Sequence, residues 1–332
     1  MKKHLCVPVL VLLLLTACQN DNTPTVANTP TSHGLRLSVQ NDPEWEFQNL
    51  RIYPVLADAA LLEKHADLRH LKTLTEGMKT PGFRITELKQ FGRSVEPRVN
   101  ALTVQNKSEE PIFIMSGDVV TGGNQDRVIA QDQVVVARTV RNIEVFCVEQ
   151  GRWHFDDPTA TEDEKRIFAF KGYYNVASPQ VREAVQRTGN QEEVWSAVAK
   201  VTSSNSAVSG TKTYAALETA QEYKAKRDAY IGYFDGKPEH LTNMVGMVVV
   251  CGDRVLGVDI FGHPDLFRRK FEPLLHGYAT EAIATAAPPR VSDSELQRTF
   301  DKVARLAAPD AVPNDEAGKF AMGDAWVHLY KK

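Results

Sequence analysis

Two short polar segments interrupt apolar surroundings. The first is Ser116-Gly117-Asp118-Val119-Val120-Thr121-Gly122-Gly123-Asn124-Gln125-Asp126-Arg127, which puts three glycines, two carboxylates, two amides and an arginine between strand-like runs. Gly122 and Gly123 let backbone amides face a ligand, Asn124 and Gln125 offer neutral hydrogen bonds, and Arg127 offers a planar fork for phosphate or carboxylate. A tight hairpin whose polar groups cap one another accounts for the same residues equally well. The second segment is Cys147-Val148-Glu149-Gln150-Gly151-Arg152-Trp153-His154. On a strand, Val145, Cys147 and Glu149 share one face, so Glu149 ends the face that carries the cysteine. That pattern builds either a site or a structural Glu149–Arg152 pair with Trp153 packed over it. Asp118 and Glu149 are thus the candidate catalytic acids, and Gly122, Gly123, Gln125, Arg127, Arg152 and Trp153 the candidate ligand contacts. Cys147 and His154 have no second pair beside them, so no metal is expected.

The elements that must position these residues follow from periodicity. Leu35 to Val39 and Leu50 to Leu56 alternate apolar and polar residues as half-buried strands do. Leu61, Leu62, Leu68, Leu71 and Leu74 recur at helical spacing behind Asp58, which predicts one helix over Asp58 to Leu74. From Phe83 the period returns to two, predicting strands at Arg84 to Leu88, Ala101 to Gln105, Pro111 to Val120, Arg127 to Ala137 and Asn142 to Val148. Helical patterns occupy the middle, at Pro179 to Arg187, Gln191 to Thr202 and Tyr214 to Phe234. Gly252-Asp253 then sits between Val245 to Cys251 and Arg254 to Phe261 as a hairpin turn. Helices at Pro264 to Thr285 and Ser292 to Leu306 follow, and Trp326 to Tyr330 reads as a last strand. The expected class is α+β, with a β-rich N-terminal half, a helical middle, and a late hairpin followed by C-terminal helices.

The first 17 residues read as an export signal: Lys2 and Lys3 precede an apolar run from Leu5 to Leu15 that is too short to span a bilayer as a permanent helix. Leu15-Thr16-Ala17-Cys18 resembles the bacterial lipobox, so cleavage would leave Cys18 first in the chain, carrying a thioether diacylglycerol and an N-acyl chain such as palmitate. Those chains exceed the two signals that stable anchoring needs. Gln19 at the second mature position resembles the pattern of lipoproteins passed to the outer membrane. Residues 18–33, rich in Asn, Thr and Pro, read as a disordered tether with a reach of about 20 Å. Residues 34–332 read as a single α+β domain. With 39 basic and 42 acidic residues, the chain has no net field to draw nucleic acid. Of the four cysteines only Cys147 and Cys251 remain to pair, and their apolar strand context suits buried thiols better than a disulfide.

The chain carries no Gly-x-Gly-x-x-Gly, no Walker loop, no nucleophile elbow and no His-Glu-x-x-His, so no cofactor is expected. Several segments together resemble one bacterial and archaeal family. They are Gly117-Asp118 through Gly122-Gly123 to Gln125-Asp126-Arg127, Phe146 to Trp153, Asn190-Gln191 with Val194-Trp195, and Val258-Asp259-Ile260-Phe261-Gly262 with Leu266-Phe267. The family is the ADP-ribosylglycohydrolase and rhodanese-phosphatase-superfamily-associated protein domain, type one, a domain of unknown function. Its name records gene and domain company and implies no activity. Asp118 stands where the family usually has the longer glutamate. The resemblance implies that the two central motifs converge on one pocket. Three functions fit: a lipid-anchored envelope protein that binds a small anionic or nucleotide-like ligand; a hydrolase with Glu149 or Asp118 as general base and Arg127 and Arg152 stabilising developing charge; and a structural or interaction module of the envelope. A shared pocket requires Asp118, Gln125, Arg127, Glu149 and Arg152 to lie together, which adjacent antiparallel strands can achieve.

Overall fold

A computed structural model describes residues 32–39, 42–87, 100–156 and 158–332. The expected export signal, Cys18, the tether as far as residue 31, and Leu88 of one expected strand lie outside the described residues. Ser32 and His33 form a turn in which the Ser32 N–H donates to Leu35 O at 2.8 Å. The chain forms the α+β arrangement that its periodicity predicts.

Met244–Cys251 is apolar almost throughout because both of its faces are covered. Met247, Val249 and Cys251 share a core with Phe267, Phe271, Leu274 and Leu275 of the helix Pro264–Ile283. Val245, Val248 and Val250 share another with Leu296, Phe300 and Val303 of the helix Asp293–Ala304. This strand lies inside a seven-stranded antiparallel sheet ordered Leu35–Leu37, Leu50–Ala57, Met244–Cys251, Arg254–Phe261, Ala325–Lys331 and Ala317–Met322, with Glu46–Phe47 beside Leu50–Ala57. His263 starts the longer helix by accepting the Asp265 N–H on Nδ1 at 3.2 Å, and Pro264 takes the first position, where no amide is needed.

A six-stranded sheet carries both polar segments. Its order is Phe170–Val176, Asp118–Gly122, Arg127–Ile129, Thr139–Cys147, Ala101–Asn106 and Phe83–Glu87. One face packs on Val181, Val194, Val198, Val201 and Leu217 of the helical middle. The other meets a three-stranded sheet, Gln133–Val135, Ile112–Ile114 and Lys72–Thr73, through Ile85, Val104, Ile114, Val120 and Ile129.

Three expected elements break for identifiable reasons. The helix foreseen over Asp58 to Leu74 starts as expected, with the Leu61 N–H on Asp58 Oδ1 at 2.8 Å, but ends at Lys64. Beyond a 3₁₀ turn, the Lys72 N–H donates to Pro111 O at 3.0 Å, and sheet pairing takes the backbone; Thr73 and Glu76 then form a capping box for Leu74–Gly77. Leu61, Leu68, Leu71 and Leu74 are buried all the same. The expected strands Pro111 to Val120 and Arg127 to Ala137 each split in two, at Gly117 (φ +93°) and at Ala130 to Asp132. The halves pair with one another in different sheets, Ile112–Ile114 with Gln133–Val135 and Asp118–Gly122 with Arg127–Ile129. Asp132 pins the double break by accepting the Ser116 N–H at 2.7 Å. Strands Phe170–Val176 and Ala317–Met322 were not foreseen. Cys147 and Cys251 lie in different sheets with no disulfide between them, and burial raises the pKa of both thiols.

Candidate functional site

Strand pairing brings the two polar segments together. Arg127 lies opposite Cys147 in the register between Arg127–Ile129 and Thr139–Cys147, so the residues before Arg127 meet those after Cys147. Glu149 Oε2 accepts the Asp126 N–H at 3.0 Å and two bonds from Arg152, Nε at 3.0 Å and Nη2 at 2.7 Å. Gln125 Nε2 donates to Glu149 O at 2.7 Å. Arg152 Nη1 and Nη2 donate to the carbonyls of Gly123 and Gly122 at 2.8 and 3.2 Å. Gly123 is at φ +55°, and a Cβ there would lie 2.5 Å from the Phe170 ring and 2.8 Å from Glu87 Oε1, so only glycine fits. Arg127 donates to Gln125 Oε1 at 3.2 Å and approaches Asp126 O and Glu87 Oε1 at 3.5 Å each. The Trp153 ring lies 5.9 Å from its guanidinium carbon. Of the candidate residues, Gly122, Gly123, Gln125, Arg127, Glu149, Arg152 and Trp153 therefore form one cluster.

Asp118 belongs elsewhere. It begins the strand that ends at Gly122, and its carboxylate accepts from Lys270 Nζ at 2.6 Å, Tyr173 OH at 3.0 Å and the Met115 N–H at 2.8 Å. Beside it, Gly117 leaves room for Arg182, whose Cγ would be 2.8 Å from any Cβ. Arg182 binds both oxygens of Asp259, at 3.0 and 2.6 Å, and Tyr278 OH donates to the same carboxylate. His328 bridges onward, with Nε2 3.1 Å from Asp259 Oδ1 and Nδ1 2.7 Å from Asp132 Oδ2. Carboxylates accept only, so both ring nitrogens carry protons and His328 is an imidazolium. The chain Arg182, Asp259, His328, Asp132 thus alternates in sign through the interior.

A model of the ARG and Rhodanese-Phosphatase-superfamily-associated Protein domain matches residues 38–325. The chain belongs to this family. No curated protein and no solved structure matches it. Membership assigns no molecular activity, so the chemistry must be read from the site. Within the ARG and Rhodanese-Phosphatase-superfamily-associated Protein domain, the Gly122–Arg152 cluster gathers three carboxylates, Glu87, Asp126 and Glu149, around two guanidinium groups. Burial would raise the pKa of Glu149, but its bonds from Arg152 and the Asp126 N–H hold it below the usual range. Asp126 goes the other way: burial and the neighbouring Glu149 raise it against bonds from Thr213 and the Gly122 N–H. Glu87 and Asp126 had no assigned role in the sequence reading. Asp126 is flanked by candidate residues, whereas Glu87 lies on a strand forty residues away and carries no local signal.

The buried relay makes a pH-dependent contribution. Burial would lower the pKa of His328, but Asp132 and Asp259 on its two nitrogens raise it above the usual value. The folded state therefore holds this proton more tightly than the unfolded chain, whose value is about 6.5. Its stabilisation is fully present below that value and is lost as pH rises through the folded one. Burial lowers His65 and His276 to about 4, so their effects fall below the neutral range. The urea midpoint should drop as the pH is raised from about 6.5 through the higher folded value, with the slope reduced in His328→Gln. A midpoint that rises across this window contradicts the imidazolium assignment.

Proposed function

We propose that this is a lipid-anchored envelope protein, held at the periplasmic face of the outer membrane through Cys18, whose folded body binds a small anionic or nucleotide-like ligand at Arg127 and Trp153. The anchor rests on Leu15-Thr16-Ala17-Cys18 and Gln19. Cys18→Ser should abolish acyl-chain labelling and release the protein from the membrane; unchanged labelling rejects the anchor.

One observation carries the ligand reading. Arg127 is 0% exposed, yet its guanidinium is poorly matched: one bond at 3.2 Å, two contacts at 3.5 Å, and an Nε with no partner among the described residues. Buried donors are ordinarily satisfied, so Arg127 has capacity for an acceptor that the protein itself does not supply. The half-exposed Trp153 ring, 5.9 Å from the guanidinium carbon, is the part of the cluster that solvent reaches. A planar ring can stack on the indole while an anionic oxygen reaches Arg127. The raised proton affinity of Asp126 assists, because this carboxyl can take up a proton as an anion arrives. The hydrolase reading is weaker. Glu149 is chelated by Arg152, which holds its pKa below the usual range, and the Asp118 carboxylate is occupied by Lys270, Tyr173 OH and the Met115 N–H, away from the cluster.

The test is thermal unfolding of the mature protein against nucleotides and sugar phosphates. A ligand at a hundredfold excess over its Kd should stabilise by about 2.7 kcal/mol. Trp153→Ala should keep the unliganded Tm near that of the parent and lose most of the ligand shift, and Arg127→Lys should lose it too. A shift retained in both variants, or no shift from any ligand, overturns the assignment.

A further inference from the structure

A cleft of about 500 Å³ opens between the break at Ala130 to Asp132, the turn at Gln186 to Gly189, and the final hairpin. Its volume is that of a small-molecule site, and it shares no lining residue with the Arg127 cluster. We propose that this cleft is a second binding site, which takes a neutral, hydroxyl-rich ligand such as a sugar and uses Asp132 as its fixed acceptor.

The Asp132 side chain is only 2% exposed, yet it forms part of the cleft wall. Both oxygens are tied from behind, one by the Ser116 N–H at 2.7 Å and the other by His328 at 2.7 Å. His328 is fixed by Asp259, and Asp259 by Arg182 and Tyr278. Phe261 and Tyr330 stack on the imidazole at 4.5 and 4.9 Å. The carboxylate therefore cannot rotate away, and each oxygen retains a further lone pair. This is preorganisation of an acceptor, supported by six side chains that no feature of the first site needs.

The charges around the cleft argue against an ionic ligand. Glu144 accepts from Gln131 at 3.2 Å, and Arg187 pairs with Glu183 at 2.9 Å. Lys319 donates to the carbonyls of Ala308 and Pro309 at 2.8 and 3.4 Å. Lys332 adds one cation at the rim, where solvent screening leaves little attraction. Directional groups remain. Gln186 gives its amide nitrogen to Ser116 Oγ at 3.1 Å and keeps its carbonyl oxygen, while Thr188 donates to Ala184 O at 2.7 Å, accepts the Asn190 N–H at 3.2 Å and keeps one further lone pair. Phe320 and Tyr330 supply aromatic wall. Acceptors aimed at hydroxyl hydrogens, beside rings that suit an apolar C–H face, describe a sugar better than an amine or a phosphate.

Saturation-transfer NMR on the mature protein, with glucose, ribose and N-acetylglucosamine as probes and glucose 6-phosphate as the charged control, tests this. At least one neutral sugar should receive saturation. Thr188→Trp, which fills the mouth from an exposed position, should weaken that signal at least tenfold, and Asp132→Asn should do the same. Trp153→Ala should leave it unchanged, which separates this site from the Arg127 site. Silence from all three neutral sugars overturns the proposal, as does a signal that survives Thr188→Trp. A glucose 6-phosphate signal stronger than that of glucose in the Trp153→Ala protein also overturns it, since it would mark an anion site.

Discussion

Asp259→Ala is expected to destabilise the protein by about 3–5 kcal/mol, the range for removing one partner of a buried ion pair. Asp259 is fully buried and accepts from Arg182, Tyr278 and His328. Burial alone would raise its pKa, but Arg182 and His328 hold it far below the usual carboxylate range. Alanine would leave the Arg182 guanidinium and the His328 imidazolium buried without their shared counter-charge. His328 would keep Asp132 on Nδ1, but Arg182 would lose the carboxylate that binds both of its terminal nitrogens and cannot shed its charge. The loss should appear as a lower urea midpoint at pH 7 with an unchanged slope against denaturant. A cost below about 1 kcal/mol would show that the relay is not held together by this carboxylate.

The second large effect concerns Asp118. Lys270 is 1% exposed and its ammonium lies 2.6 Å from Asp118 Oδ1. Lys270→Met should cost about 3–5 kcal/mol, because the carboxylate stays buried with only Tyr173 OH and the Met115 N–H to satisfy it. Asp118→Asn combined with Lys270→Met removes both charges and should recover most of that loss, since a neutral pair of similar size carries no uncompensated charge. The double-mutant cycle should therefore give a coupling of at least about 2 kcal/mol. Additive losses would mean that the pair contributes nothing as a pair, and would return Asp118 to the list of acids available for chemistry.

Much of this architecture is legible in the sequence, and the parts that are not have physical reasons. Met244–Cys251 and Arg254–Phe261 announce themselves by apolar runs either side of Gly252-Asp253, because both the burial and the turn are local. The cluster at Gly122 to Arg152 is visible because glycines, amides and charges at strand ends are rarely there for packing alone. Leu61 to Leu74 misleads, since leucines at helical spacing also suit a short helix, a 3₁₀ turn and a second short helix that bury them in three separate cores. Arg127 to Ala137 misleads differently: one alternating run serves two sheets, and nothing local marks Asp132 as the residue that pins the switch. The relay is half-visible. Asp259 between Val258 and Ile260 is a charge in an apolar strand, which demands a buried partner. Its partner Arg182 reads as one more polar residue on a helix, because their pairing is set by packing between elements 77 positions apart.

The most direct test of ligand binding at Arg127 and Trp153 is a ¹⁵N-labelled indole spectrum. The chain has four tryptophans, and Trp153→Phe identifies the Trp153 signal by its loss. Titration with the nucleotide or sugar phosphate that gives the largest thermal shift should move the Trp153 indole resonance in proportion to occupancy, and leave those of Trp45 and Trp326 in place. Saturating ligand that stabilises the protein while the Trp153 resonance stays fixed would contradict the account.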